Sequence, residues 1–167
     1  MVLCLPCPAA VLVALACTFC STATFADQGR KSDREPAVRS IDRGRYLVRI
    51  AGCNDCHTAG YPESGGTVPE KEWLTGNPVG FRGPWGTTYP ANLRLALAGL
   101  SETEWVRIAH TTQFRPPMPW FALRDMSAAD LRDIHRFIRY LGPAGSAAPG
   151  FVGPGEKPNG PVIQFPG

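Results

Sequence analysis

Two cysteines and a histidine stand together in the run Cys53-Asn54-Asp55-Cys56-His57, and few chemistries require that spacing. A redox-active pair of cysteines normally accompanies a strand–helix–strand pattern, which this sequence lacks. A zinc site needs more soft ligands, and no cysteine follows Cys56. A disulfide between residues three apart would be strained. The pattern instead indicates covalent attachment of haem c, because two thiols add to two vinyl groups of the porphyrin while the next histidine binds the iron.

His57 is therefore predicted to be the proximal ligand of a haem c held through Cys53 and Cys56. Its second ring nitrogen should donate to a backbone carbonyl, which fixes the tautomer and the ring orientation. We expect that carbonyl in the following loop, near Pro62. The motif occurs once, so the sequence predicts one haem.

The N-terminal segment carries an export pattern. Residues 1–26 contain no Lys, Arg, Asp or Glu, and residues 9–16 form an apolar run. Thr24 and Ala26 are small residues at the positions that a signal peptidase reads. The pattern predicts a signal peptide over 1–26 and a periplasmic protein. Retention as a membrane anchor and lipidation at Cys17 are the alternatives.

Composition excludes several other classes of function. With 44% hydrophobic and 19% charged residues, the chain suits a soluble globular domain. A net charge of +3 is too small for a nucleic-acid partner bound by phosphate neutralisation. A phosphate-binding loop, a dinucleotide fingerprint and a His-Glu-x-x-His helix are all absent from the sequence. We therefore predict no catalytic residues, and a protein that is not an enzyme.

Helical periodicity predicts a mainly α chain with about three to five short helices and long loops. Three helices have polar N-caps: about 41–52 after Ser40, about 102–110 after Ser101, and about 128–141 after Ser127. Residues 93–98 could add one or two helical turns. So few helices cannot enclose a large core, which again favours a bulky apolar cofactor inside the loops.

The segments around these helices differ in composition. Residues 27–39 are polar and predict a flexible lead-in to a compact domain over 40–143. Long loops rich in glycine and proline are expected over 60–89 and 113–126. Residues 144–167 form a Pro/Gly-rich extended tail, either disordered or laid along the domain.

The second axial ligand must come from a short set of candidates. His135 lies among apolar residues of the last helix, and His110 ends the preceding helix, where its charge suits the helix dipole. Met126 precedes a predicted N-cap and can act as a hydrophobic staple. Met118 has no such structural explanation, and three prolines stiffen its loop at 115–120. We predict Met118 as the ligand, with His110, Met126 and an open iron site as alternatives.

Ligation by His57 and Met118 would leave no free position on the iron and would raise the reduction potential above that of a bis-histidine haem. A haem with no place for a substrate is an electron carrier. The sequence therefore favours electron transfer over catalysis.

With these features, the chain resembles the class I c-type cytochromes. In particular, residues 41–143 are similar to one haem domain of the cytochrome c subunits of membrane-bound alcohol, gluconate and aldehyde dehydrogenases. The matching stretches are Gly44-Arg45-Tyr46-Leu47, the Cys53–Thr58 motif, Phe81–Thr87, Tyr89–Leu93, Trp105, Pro117-Met118-Pro119, Asp130-Leu131 and Tyr140-Leu141.

The resemblance implies the cytochrome c fold wrapped around one covalently bound haem, with Cys53, Cys56, His57 and Met118 carrying it. It implies that the first and last helices cross, with Gly44 allowing close approach of the side that carries Phe137 and Tyr140. It also supplies candidates for binding the haem propionates: Arg82, Trp85, Tyr89, Trp105 and Arg107.

The expected function is that of a periplasmic monohaem cytochrome. It would carry single electrons from a dehydrogenase donor to an oxidase or another cytochrome, and so towards the respiratory chain. One alternative is a tightly bound cytochrome subunit of a dehydrogenase complex, docked through its tail. Another is a haem enzyme or gas sensor with an open iron site. We expect no nucleic-acid partner, and membrane association only through a partner or an uncleaved N-terminus.

Overall fold

The computed structural model describes residues 23–166, and the side chains from residue 36 onward. Two units are distinguished, Met1–Arg34 and Glu35–Gly167, and every contact reported below lies within the second. The apolar run of the predicted signal peptide lies outside the described residues, so export remains a prediction. Among the described residues, no helix combines the length and apolarity needed to cross a membrane.

The fold combines helices with a small sheet. The described helices are α1 (Ala23–Ile50), α2 (Cys53–His57), α3 (Leu93–Ala96), α4 (Glu102–Thr111), α5 (Trp120–Asp125) and α6 (Ala128–Leu141). The described strands are β1 (Gly80–Gly83), β2 (Gly86–Thr88) and β3 (Val162–Gln164), and a single 3₁₀ turn covers Glu70–Glu72. The mainly α prediction is confirmed in this coarse form. The estimate of three to five helices was too low, and the sheet was not predicted.

The helices α4 and α6 begin where their caps predicted. The Ser101 hydroxyl accepts the Glu104 N–H at 3.3 Å, and the Ser127 hydroxyl accepts the Asp130 N–H at 3.1 Å. Helix α6 ends at Leu141, as predicted, and Gly142 is its C-cap. The side chains of Ser101 and Ser127 accept N–H groups that have no partner within the helix, so these residues indicated correctly where the two helices begin.

Helix α1 begins far earlier than predicted. Ser40 lies inside it rather than at its N-cap, and residues 27–39 are helical rather than a loose lead-in. This polar stretch has no apolar stripe, so hydrophobic periodicity could not reveal its helix. Beyond this stretch, polar side chains of α1 contact α6: the Ser40 hydroxyl donates to Asp133, and the Arg43 guanidinium pairs with Asp130 at 3.0 Å.

Helices α1 and α6 approach closely at Gly44. A Cβ on Gly44 would lie 2.8 Å from the Phe137 Cβ and would also contact the Asp133 backbone. The close approach expected at Gly44 is therefore confirmed for Phe137. Tyr140 remains 60% exposed, with the Arg45 guanidinium 6.0 Å from its ring centroid.

The sheet joins the middle of the chain to its C-terminal tail. Strand β1 is central, antiparallel to β2 and parallel to β3, and Phe81 stands opposite both Thr88 and Ile163. The tail thus lies along the domain, which settles the alternative that the sequence left open. The loop expected over 60–89 contains this hairpin. The short, glycine-rich strands of the hairpin have no alternating pattern, and β3, which pairs with β1, comes from far along the chain.

The core lies among α1, α4, α5, α6 and the loop that follows α2. Its buried residues are Leu47, Val48, Tyr61, Trp73, Leu74, Leu97, Trp105, Ala109, Leu123, Leu131, Ile134, Phe137 and Ile138. Cys53, Met118 and Met126 are partly buried against it. The core thus brings the start of the cysteine motif and both candidate methionines to one apolar cluster.

Candidate functional site

Helix α2 presents the cysteine–histidine motif after a sharp turn. Gly52 lies between α1 and α2 with φ 70°, a left-handed conformation that glycine adopts without steric cost. The turn is secured behind the motif, where the Thr58 hydroxyl donates to the side-chain oxygen Oδ1 of the buried Asn54 at 2.8 Å. The same hydroxyl accepts the Leu74 N–H at 2.8 Å. The motif is therefore anchored on the following loop as well as on α1.

His57 is buried, and its Nδ1 donates to the Ala91 carbonyl at 2.7 Å. The predicted bond to a backbone carbonyl is present, but the expected position near Pro62 was wrong. Backbone pairing explains the difference, because the Gly76 N–H donates to the His57 carbonyl at 2.8 Å and the Asn77 N–H to the Pro90 carbonyl at 3.2 Å. These backbone hydrogen bonds place the Ala91 carbonyl next to the His57 imidazole. No side-chain pattern could have identified a backbone acceptor there.

The electrostatics of His57 suit a metal ligand. Burial lowers the pKa of its imidazole, while the Ala91 hydrogen bond opposes that shift. A neutral ring with Nδ1 protonated keeps its lone pair on Nε2. Among the described residues, no hydrogen bond uses His57 Nε2, so this atom is available to an iron.

The two thiols are partly buried, and they lack the properties of a reactive pair. Burial raises the pKa of Cys53 to about 11, and burial also raises the pKa of Cys56. Reactive cysteines have lowered pKa values because the thiolate is the nucleophile. Across residues 23–166, no cluster of three or more His, Cys, Asp or Glu side chains could hold a metal ion. The raised pKa values favour neutral thiols over a reactive dithiol pair.

Met118 lies in the loop between α4 and α5. Its N–H donates to the Arg115 carbonyl at 3.2 Å, and its carbonyl accepts the Trp120 N–H at 2.9 Å. Backbone bonds on both sides therefore fix the residue, while its side chain is half-buried against the core.

The other histidine and methionine candidates make contacts of their own. His110 Nε2 lies 3.0 Å from the Met126 carbonyl, and His135 Nε2 lies 2.9 Å from the Leu100 carbonyl. Met126 is the C-cap residue of α5 and packs on the core. The bonds of the two histidines use one ring nitrogen each, and Nδ1 of His135 is buried without a partner. Met118 remains the predicted ligand.

Three of the propionate candidates lie on or beside the hairpin. Arg82 donates from Nη1 to the Glu156 carbonyl at 2.8 Å, and the Tyr89 hydroxyl donates to the Asn159 carbonyl at 3.1 Å. Both groups therefore hold the tail. Trp85 differs, because its Nε1 is buried and has no hydrogen-bond partner. A buried N–H donor without an acceptor is energetically costly, and Trp85 is the candidate whose side chain lacks one.

The other two candidates lie on α4. Trp105 is buried and donates from Nε1 to the Leu131 carbonyl at 2.9 Å, which joins α4 to α6. Its only donor is engaged there, which favours a core role over propionate binding. Arg107 is exposed. Thr88 was not among the candidates; its hydroxyl is buried without a partner on the same hairpin as Trp85.

The residues present fit a covalently attached haem c. They offer two neutral thiols, an imidazole oriented through Ala91, and a thioether in a fixed loop. They also offer the buried Trp85 N–H, a donor suited to a carboxylate.

No protein-family model matches this chain, and neither the curated proteins nor the solved structures contain a significant match.

Proposed function

We propose that this protein is a periplasmic, single-haem c-type cytochrome with a class I cytochrome c fold, and that it carries electrons between larger redox proteins. The observation that carries the proposal is the hydrogen bond from His57 Nδ1 to the Ala91 carbonyl. It leaves the second ring nitrogen of His57 uncommitted on the same short helix that carries Cys53 and Cys56. Histidine ligands of metals characteristically have their second nitrogen fixed in this way.

The order of elements supports the fold. An N-terminal helix precedes the motif, the Met118 loop follows α4, and the last helix packs on the first at Gly44. This arrangement is the one that the resemblance implies.

Haem iron supplies a centre that gains and loses one electron. In this chain, Cys53 and Cys56 would hold the porphyrin, and His57 would bind the iron through Nε2. Met118 would fill the remaining position and exclude exogenous ligands. Trp85 and Thr88 would donate to a propionate. In this arrangement the side chains would hold the haem and would move no proton, and the function would be electron transfer alone.

Docking of the tail on a catalytic subunit would require its apolar residues to be free. The Phe165 ring is instead packed on Phe81 and Trp85, with centroid distances of 6.0 and 5.6 Å. The other apolar residues of the tail, Phe151, Val162 and Ile163, are 42%, 36% and 48% exposed, so this packing does not distinguish the mobile carrier from the tightly bound subunit.

Absorption spectra of the purified protein, oxidised and reduced, with and without CO, test the proposal. We expect a weak far-red sulfur-to-iron band in the ferric state and no response to CO after reduction. A high-spin ferric spectrum or ready CO binding would instead establish an accessible iron and a catalytic or sensory function.

Substitution separates the candidate ligands. Met118→Ala should abolish the far-red band, admit CO and lower the reduction potential, because the thioether is lost. Met126→Ala is the matched control and should retain all three properties. His57→Ala should prevent accumulation of stable holoprotein. A reversal of the two methionine results would refute the assignment of Met118.

A further inference from the structure

The tail forms a strap, defined here as residues 144–165, that is held at several points along its length. Near its start, the Asn92 side-chain amide donates to the Ala144 carbonyl at 2.7 Å. In its middle, Val152 and Thr87 exchange two backbone hydrogen bonds of 2.7 and 3.0 Å. Its end contributes β3 to the sheet. The strap is therefore fixed on both sides of the segment that precedes Val152.

Phe151 lies in that segment and reaches the loop of the candidate ligand. The Arg115 guanidinium lies 4.2 Å from the Phe151 ring centroid, within the range of a cation–π interaction. The ring also lies against Gly86, where a Cβ would be 3.0 Å from Phe151 Cζ. Gly86 adopts φ 102°, which other residues rarely tolerate. The hairpin thus supports the ring on one side while Arg115 covers another.

Arg115 connects this contact to Met118. The Arg115 carbonyl accepts the Met118 N–H at 3.2 Å and so closes the turn in which the methionine lies. A loop ligand stays in place only as long as its loop stays closed. Restraining Arg115 from outside the loop lowers the population of open conformations.

We infer that Phe151 and Arg115 are positioning residues that hold the Met118 loop closed from the strap. This inference rests on the proposed function for the part that concerns ligation of iron. Val152 of the strap is hydrogen-bonded to Thr87, next to Gly86, which lies against the Phe151 ring. The position of the Met118 loop therefore depends on the hairpin through the strap. Displacement of the strap would therefore loosen the loop without touching the core.

The test uses the purified holoprotein with Phe151→Ala and Arg115→Gln, singly and together. Hydrogen exchange of residues 113–119 reports loop opening, and ferric absorption during an imidazole titration reports displacement of the thioether. Each single variant should raise the exchange rate and the apparent imidazole affinity by about two- to fivefold, the range expected for an exposed cation–π contact. The double variant should show no further increase, because both substitutions remove one contact.

Ile163→Ala is the matched control, because Ile163 is an exposed apolar residue of the same strap and pairs with β1 instead of the loop. It should leave both measurements unchanged. Unchanged exchange in Phe151→Ala, or additive effects in the double variant, would overturn the inference. A wild-type ferric spectrum without the sulfur-to-iron band would refute the proposed function. In that case a rise in exchange would still establish that Phe151 orders the loop, with no role toward iron.

Discussion

Gly44 is the residue at which the absence of a side chain matters most for packing. It faces the Asp133 backbone and the Phe137 side chain across the α1–α6 contact. Phe137 is fully buried, so neither neighbour can move away from an added methyl group without disturbing the core.

Gly44→Ala should therefore destabilise the protein by about 1–3 kcal/mol, the usual cost of overpacking. Chemical denaturation measures the free energy of unfolding. Gly99→Ala is the control, because nothing lies within 4 Å of the position that its Cβ would take and its φ is not positive. That variant should stay within about 0.5 kcal/mol of wild type. Equal losses in the two variants would contradict the close-packing account.

Among the elements, α4 and α6 both place a carboxylate at their N-terminal caps. The Ser101 N–H and hydroxyl donate to the Glu104 carboxylate and lower its pKa. At α6, the Arg43 guanidinium and the Ser127 hydroxyl lower the pKa of Asp130. A lowered pKa in the folded state means that the ionised carboxylate stabilises the protein above its unfolded-state pKa. That contribution is lost as the pH falls through the folded-state value.

Acidification from about pH 6 to about pH 3 should consequently reduce the free energy of unfolding. The loss should be smaller in the Glu104→Gln, Asp130→Asn double variant, because these carboxylates no longer titrate. Denaturation at both pH values measures the difference. Glu63→Gln, at an exposed loop position, should leave the loss at its wild-type size. An identical acid loss in the double variant would exclude the caps as its source.

The same elements show what sequence reasoning can and cannot reach. Caps and apolar stripes identified α4 and α6, because both signals are local. The polar half of α1 offered neither signal, although Gly44 correctly indicated where the helix meets α6. At the site, the motif predicted the hydrogen bond of His57 but not its partner. The Ala91 carbonyl arrives through backbone pairing at Gly76 and Asn77, which carries no side-chain pattern.

At the scale of the whole molecule, the C-terminal strap closes the fold over the hairpin. Phe165 packs on Phe81 and Trp85, and its N–H donates to the Arg82 carbonyl at 2.7 Å. Val162 and Ile163, by contrast, are 36% and 48% exposed. The aromatic contact is therefore the apolar anchor of β3.

Phe165→Ala should lower the free energy of unfolding by about 1–2 kcal/mol, less than the cost at a fully buried phenylalanine because the ring is partly exposed. Denaturation measures this loss, and proteolysis should cleave the strap sooner than in wild type. Ile163→Ala removes a more exposed side chain from the same strand and should cost less than about 0.5 kcal/mol. A larger loss for Ile163→Ala than for Phe165→Ala would contradict this placement of the anchor.

The parallel pairing of β1 with β3 also fixes an order of events during synthesis. Gly80 pairs with Val162, so 82 further residues must be synthesised after Gly80 before β1 can pair with β3. At ordinary translation rates of about 5–20 residues per second, that wait lasts about 4–16 s. During this time one edge of β1 is open to other chains, which makes the nascent protein prone to aggregate at this strand. Cys53 and Cys56 precede this edge, so both thiols are made before the strap can close the sheet.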